Sequence, residues 1–540
     1  MHGKRLLPVL LLLLMVCAVP ARAQEQPLVV FVLNPEIGAA SVFDPGPDGI
    51  TTLDMMFRGL GARTQAINLV ERIPAEADVV VLVGPQQRLN LISMARLWVH
   101  LAQGKNLLLA LEPVGYGGIQ SEDFNSPLLR LITNAYGLIT QDTFLVEPWF
   151  SKDSAALLSG TYLLAYADVV PHPVVEPLIR YELPVQVWSA RSLLVEPVGV
   201  DSLATPLLQT TTAYGETTQN AFSFEEGAPP LEPNLEVDPM GLLNVAGLGE
   251  NTRAGSRIAI LGDAHMVQNG YGLANIPGEA LLRQPGNFIF VERLAAWLLD
   301  MPEADWPELP EGFSWVAVDG SGADWPAGIT VTEEERDASL PANYDLEQVS
   351  AFANNAYLYV LAQPYSSPSA NTRLEVTLSN GAVVSATTGQ VMLAGEVLLD
   401  ARLAVGSALE LRLPLRVTGA DAQVTQVCLF DNSSAADARD CSTGEIETVE
   451  VEAREPFDLR FGTGPLAAIA SIRDVALMEA PAGDAAQVAT LNAGRLMSVV
   501  GRSANGDWLR VRSGGLDGWV LSSLVISNAD INSLPVMQGN

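Results

Sequence analysis

Three short apolar runs, separated by segments of helical periodicity, constrain the N-terminal half of the chain most tightly. "PLVVFVL" (Pro27 to Leu33), "ADVVVLVGP" and "NLLLALEP" are apolar almost throughout rather than alternating. A continuously hydrophobic strand is buried on both faces, which is the condition of a parallel sheet covered by helices. Between the runs stand "ITTLDMMFRGLG", apolar at helical spacing with a Gly stop, and "NLISMARLWVHLAQG". In the second helix Leu91, Ile92, Ala95, Trp98, Val99 and Ala102 share a face, the one expected to meet the core, and Gly104 is placed to cap the end. Residues 146–256 are Pro-rich and less regular. The pattern resumes with "RIAILGD" and a helix expected over Asn287 to Asp300, so an α/β parallel-sheet domain is expected over 27–302.

At 540 residues the chain exceeds one compact core, and further domains are expected. A Pro- and acid-rich linker is assigned to 303–312. Residues 313–455 carry alternating runs broken by turn residues, the pattern of a β-sandwich. A small β-barrel is expected over 467–526, followed by a loose polar tail over 527–540.

The first 23 residues have the form of a secretory signal: basic Lys4-Arg5, apolar Leu6 to Val19, and small residues at Ala21 and Ala23. The run is too short to span a membrane, and no later segment approaches 18 continuous apolar residues. The expected location is secreted or extracytoplasmic. Cys428 and Cys441 are the cysteines beyond that signal, and an oxidising compartment favours a disulfide between them. The net charge of −32, with Lys only at positions 4, 105 and 152, argues against nucleic acid as a partner.

Three resemblances follow from longer stretches. "ADVVVLVGPQQRLNLISMARLWVHLAQGKNLLLALEP", "VVPHPVV" and "RIAILGDAHMVQNGYG" with "GNFIFVERLAAWLL" resemble the extracytoplasmic domain of ABC-transporter auxiliary proteins of the gliding-motility type. The resemblance implies a fold related to class I glutamine amidotransferases. "VDGSGADWP" and "YDLEQVSAFANNAYLYV" are similar to family-9-type carbohydrate-binding modules, which implies a sandwich with sugar-stacking rings. Trp315, Trp325, Tyr344, Tyr357 and Tyr359 are the available aromatics, with Trp325, Tyr344 and Tyr359 as the site candidates. "VATLNAGRLMSVVGRSANGDWLRVRSGGLDGWVLSSLV" resembles bacterial SH3 (SH3b) domains. Asn505-Gly506 signals its hairpin, and Trp508 and Trp519 fall where the family has aromatic residues, which makes them the ligand-binding candidates here, with a core role for both rings as the alternative.

Catalytic sets are sparse. Asp263 and His265, at the end of "RIAILGDAH", are the weak candidates for a metal, but metallohydrolase sites draw several His and Asp from several strands. Beyond the signal only His100, His172 and His265 remain. The alternative is that Gly262 makes a tight exit from the strand and Asp263 caps the next turn. The turn after "VVVLVG" is Pro85-Gln86-Gln87, which offers no nucleophile, and there is no G-x-S-x-G or phosphate loop. "DPGPDGITTLD" fails the calcium-loop pattern and leads into a helix, with Asp48, Thr51 and Thr52 as capping candidates.

The expectation is therefore a secreted, non-catalytic binding protein with no cofactor. Its partner would be cell-wall peptidoglycan, polysaccharide or an envelope protein. The competing expectations are a secreted hydrolase with appended modules and an accessory subunit of an envelope transporter.

Overall fold

The computed structural model describes residues 26–537, apart from 34–38, 70–71, 86–88, 113–125, 147–164, 211–212, 218–232, 274–284, 311–313, 433–439, 452–466, 471–473, 528–530 and the single residues 189, 308, 310, 355, 399, 420 and 514. The residues read as a secretory signal lie outside the described residues, as do Gln86 and Gln87. No helix among the described residues is long and apolar enough to cross a membrane.

The three apolar runs become strands β1 (Leu28–Val32), β3 (Ala77–Val83) and β4 (Asn106–Ala110), with β2 (Arg63–Ile67) at the sheet edge. Pleating sends alternate side chains into two separate cores. Val29, Phe31, Val79, Val81 and Leu108 enter one; Leu28, Val30, Val80, Leu82 and Leu107 enter the other. Helix α1 (Thr51–Gly59) and a long C-terminal helix, Pro285–Leu298, cover the first face. Helices α2 (Leu91–Ala102) and α3 (Ser126–Thr133) cover the second.

The sheet is mixed rather than parallel, which corrects the expectation from the first runs. Eight further strands complete it or lie beside it: β5 (Leu138–Thr140), β6 (Phe144–Val146), β7 (Ala165–Val169), β8 (Val185–Val187), β9 (Leu193–Val195), β10 (Ser202–Thr210), β11 (Tyr214–Glu216) and β12 (Leu243–Asn251). With β13 (Ser256–Leu261) the order runs β2-β1-β3-β4-β13-β12-β10-β7-β8. Pairing is parallel from β2 to β13. From β13 through β12, β10 and β7 to β8 it is antiparallel. Antiparallel neighbours need no crossover helix, so this half of the sequence carries little helical periodicity.

Helix α2 turns the other way from its apolar stripe. It buries Ser93, Met94, Leu97, His100 and Leu101 against the sheet, and exposes Leu91, Ile92, Ala95, Trp98, Val99 and Ala102. Asn90 caps its start by accepting from Ser93 N (2.8 Å), and Gly104 ends it in the left-handed region (φ 79°). His100 reaches Asn106 O at 2.9 Å, and burial depresses its pKa to about 4.

The middle part is two six-stranded sheets packed over one apolar core. Cys428 and Cys441 face each other on antiparallel strands and are disulfide-bonded, as expected of the cysteine pair. Arg412, 2% exposed, ties this part to the first. It donates to Tyr181 O (3.0 Å) and Glu182 O (2.8 Å) and lies over the Tyr357 ring.

A seven-stranded sheet closes the chain. It covers the β2 edge: Ala66 N donates to Gly494 O (2.9 Å), and Leu496 enters the first core. An edge so covered presents no free ladder to other chains. The tail is not loose over its described residues. Leu534 joins the core of the last sheet, Arg502 N donates to Pro535 O, and Met537 N donates to Arg502 O.

Candidate functional site

The parallel register pairs Ala110 of β4 with Leu261 of β13, so Glu112 and Asp263, two residues beyond each, emerge side by side. These are carboxyl ends of strands in an open α/β sheet, where ligand sites commonly form. A Cβ at Gly262 would stand 2.2 Å from Arg191 O, so only glycine permits the exit. Asp263 then starts a helical turn over Ala264–Val267. Its Oδ1 accepts from His265 N (2.9 Å) and its Oδ2 from Trp188 N (2.7 Å). The capping role read for Asp263 is thus present.

His265 Nδ1 lies 3.1 Å from Asp263 Oδ1 and 3.4 Å from Glu112 Oε1. All three residues offer ligand atoms within 4.8 Å of one another. The site is nearly closed to solvent, and the Tyr271 ring stands edge-on to the imidazole at 4.4 Å. Burial works against charge on His265. The hydrogen bond to Asp263 and the charges of Glu112, Asp263 and Asp48 outweigh it and lift the pKa to about 9. The cluster therefore holds a proton at neutral pH, and the same three atoms could hold a divalent ion in its place.

Asn269 locks this segment to the helix that "DPGPDGITTLD" leads into. Its Oδ1 accepts from Thr52 N (3.0 Å); its Nδ2 donates to Asp44 O, Gly46 O and Thr51 Oγ1. Asp48, Thr51 and Thr52 do not cap α1, since Ile50 occupies that position without a side-chain bond. A residue 217 positions away supplies the cap instead. Glu112 and Asn269 stand in the quoted motifs as an acid before Pro and an Asn after Gly-Asp, but no local signal places them at one point. His172 stands apart, with Nδ1 accepting from Val174 N.

The aromatics read as sugar platforms are mostly core. Tyr359 is 2% exposed and stacks on Phe352 at 4.7 Å; Tyr357 and Tyr344 are also buried. Trp315 is half-buried against Tyr181. Trp325 is half-buried too, with Nε1 donating to Glu410 Oε1 (2.7 Å). Glu410, fully buried, also accepts from the Asp319 and Gly320 amides through Oε2. The "VDGSGADWP" motif is thereby organised around a carboxylate that no sequence signal marked.

In the last sheet the site candidate Trp519 is buried (2%), a core ring rather than a ligand platform. Trp508 is half-exposed at the foot of the hairpin. Gly506 takes φ 77° there, and Ser503 N donates to Trp508 O at 2.9 Å. Asp517 binds Arg510 and Arg512 across the adjoining strand; desolvation opposes this, but the two guanidinium partners keep its carboxyl below its usual pKa.

No curated protein sequence matches the chain. Among solved structures, the mmIFT52 N-terminal domain is similar at 14% identity and TM-score 0.33, over 50% of this chain and 96% of that one, a superposition too loose to define a shared fold. Residues 473–526 match the bacterial SH3 domain family, and the C-terminal barrel is therefore a bacterial SH3 domain.

Proposed function

We propose that this is an extracytoplasmic, non-catalytic binding protein whose SH3 domain engages the bacterial cell wall. The match of residues 473–526 to the bacterial SH3 family carries this reading. The Cys428–Cys441 disulfide supports it, because such bonds persist in oxidising compartments. Trp508 is the candidate ligand-contacting ring, being the half-exposed aromatic of that domain beside its hairpin. The first part, with its amidotransferase-like resemblance, serves as a scaffold that positions the SH3 domain. Glu112, Asp263 and His265 act in this reading as an ion-paired lock between two strand ends.

The test is co-sedimentation of the full chain with purified peptidoglycan sacculi and, separately, with insoluble polysaccharide. Saturable binding to sacculi that Trp508→Ala weakens at least ~10-fold supports the assignment. Absence of binding to sacculi would overturn it. Metal analysis of the purified chain addresses the enzymatic alternative: stoichiometric zinc or manganese lost in His265→Gln would favour a hydrolase centred on that cluster.

A further inference from the structure

The outward face of α2 is apolar, unpartnered and complementary to itself. Leu91 is 71% exposed, Ile92 62%, Trp98 50% and Val99 51%, and Leu131 on the neighbouring α3 is 65% exposed. Isolated exposed apolar residues are ordinary, but a contiguous patch on a soluble surface marks an interaction site. We propose that α2 docks antiparallel against α2 of a second copy of this chain, about a two-fold axis.

Three observations select a second copy. The first is spacing. Leu91, Ala95, Trp98 and Ala102 recur at intervals of four, three and four, the seam of a helix pair. A two-fold axis through the middle of α2 sets Leu91 opposite the partner copy's Ala102, and Trp98 opposite its Ala95. Each layer then joins one large and one small side chain, and the contact is isologous.

The second is charge. The chain carries −32, with 62 acidic residues in 540, yet neither 89–111 nor 126–141 contains an Asp or Glu. Two such chains repel over most of their surface, and these two helices meet their copies without carboxylates of their own. The third is area. The exposed apolar groups amount to roughly 600 Å² per copy, so pairing that covers all of them buries at most roughly 1,200 Å² in all, the lower bound of stable interfaces.

The experiment is sedimentation velocity of the purified full chain from about 1 to about 100 μM. A species of twice 57.5 kDa is expected, with the dissociation constant raised at least ~100-fold by Trp98→Glu and by Leu91→Glu. Both positions are exposed, so circular dichroism spectra matching the wild-type chain confirm that the variants fold. Oxidation of a mixture of Leu91→Cys and Ala102→Cys chains is expected to cross-link them, whereas Ala102→Cys alone is not. A wild-type monomer at the highest concentration would overturn the proposal. So would a dimer that survives Trp98→Glu. A monomer that binds phosphatidylglycerol vesicles through Trp98 would also overturn it and assign the face to lipid.

Discussion

The charge of His265 should be visible as a pH dependence of stability. Its pKa is about 9 in the folded chain against an ordinary 6.5. Because the folded value is raised, the stabilisation is complete below about pH 6.5 and disappears as pH rises through about 9. Over that window the folded state holds a proton that the unfolded state has released. The difference corresponds to about 3 kcal/mol. The cause is local: the Asp263 and Glu112 carboxyl groups face the imidazole at 3.1 and 3.4 Å in a site almost without solvent, and a protonated ring offsets part of their charge. The direct assay is NMR titration of the imidazole carbon signals, assigned with His265→Gln and His100→Gln. His265 should titrate near 9, and His100, penalised by burial, near 4. Urea midpoints measured between about pH 6 and pH 10 should fall more steeply in the wild-type chain than in His265→Gln. Comparison with the variant removes contributions from other titrating groups. A His265 that titrates at or below its ordinary value would refute the reasoning, as would parallel pH profiles for the two chains.

Other perturbations have separable outcomes. Asn269→Ala removes four hydrogen bonds, two of them buried, among them the one the Thr52 amide donates; a loss of about 3 kcal/mol is expected in urea unfolding, with faster hydrogen exchange at Thr52. Joint Cys428→Ser and Cys441→Ser substitution, or reduction, releases a loop with sequence separation 13, which should cost about 3 kcal/mol and lower the thermal midpoint of the sandwich. Arg412→Leu removes the guanidinium that holds Tyr181 O and Glu182 O; a loss of about 2 kcal/mol and quicker proteolysis within 303–312 are expected.

Legibility in the sequence followed the range of the forces involved. The SH3 hairpin was readable because Asn505-Gly506 acts over neighbouring residues, and Gly506 does take a left-handed conformation. Apolar runs announced β1, β3 and β4 because a strand buried on both faces leaves no polar positions. Helix α2 shows the limit. Its periodicity defines two faces, but which one meets the sheet depends on the neighbours that β4 and β13 provide.

The sequence by itself determined what local chemistry controls: β1, β3, β4 and β13 with helices α1 and α2, the cysteine pair, the turn at Gly262 and Asp263, and the SH3 domain. Tertiary structure decided what depends on register and approach. The parallel pairing of β4 with β13 brings Glu112 beside residues about 150 positions away, and loop closure lets Asn269 cap a helix far up the chain. Burial then turned Tyr344, Tyr359 and Trp519 inward and left Trp98 outside. Hydrophobicity states that a side chain will be covered, whereas only packing states by what.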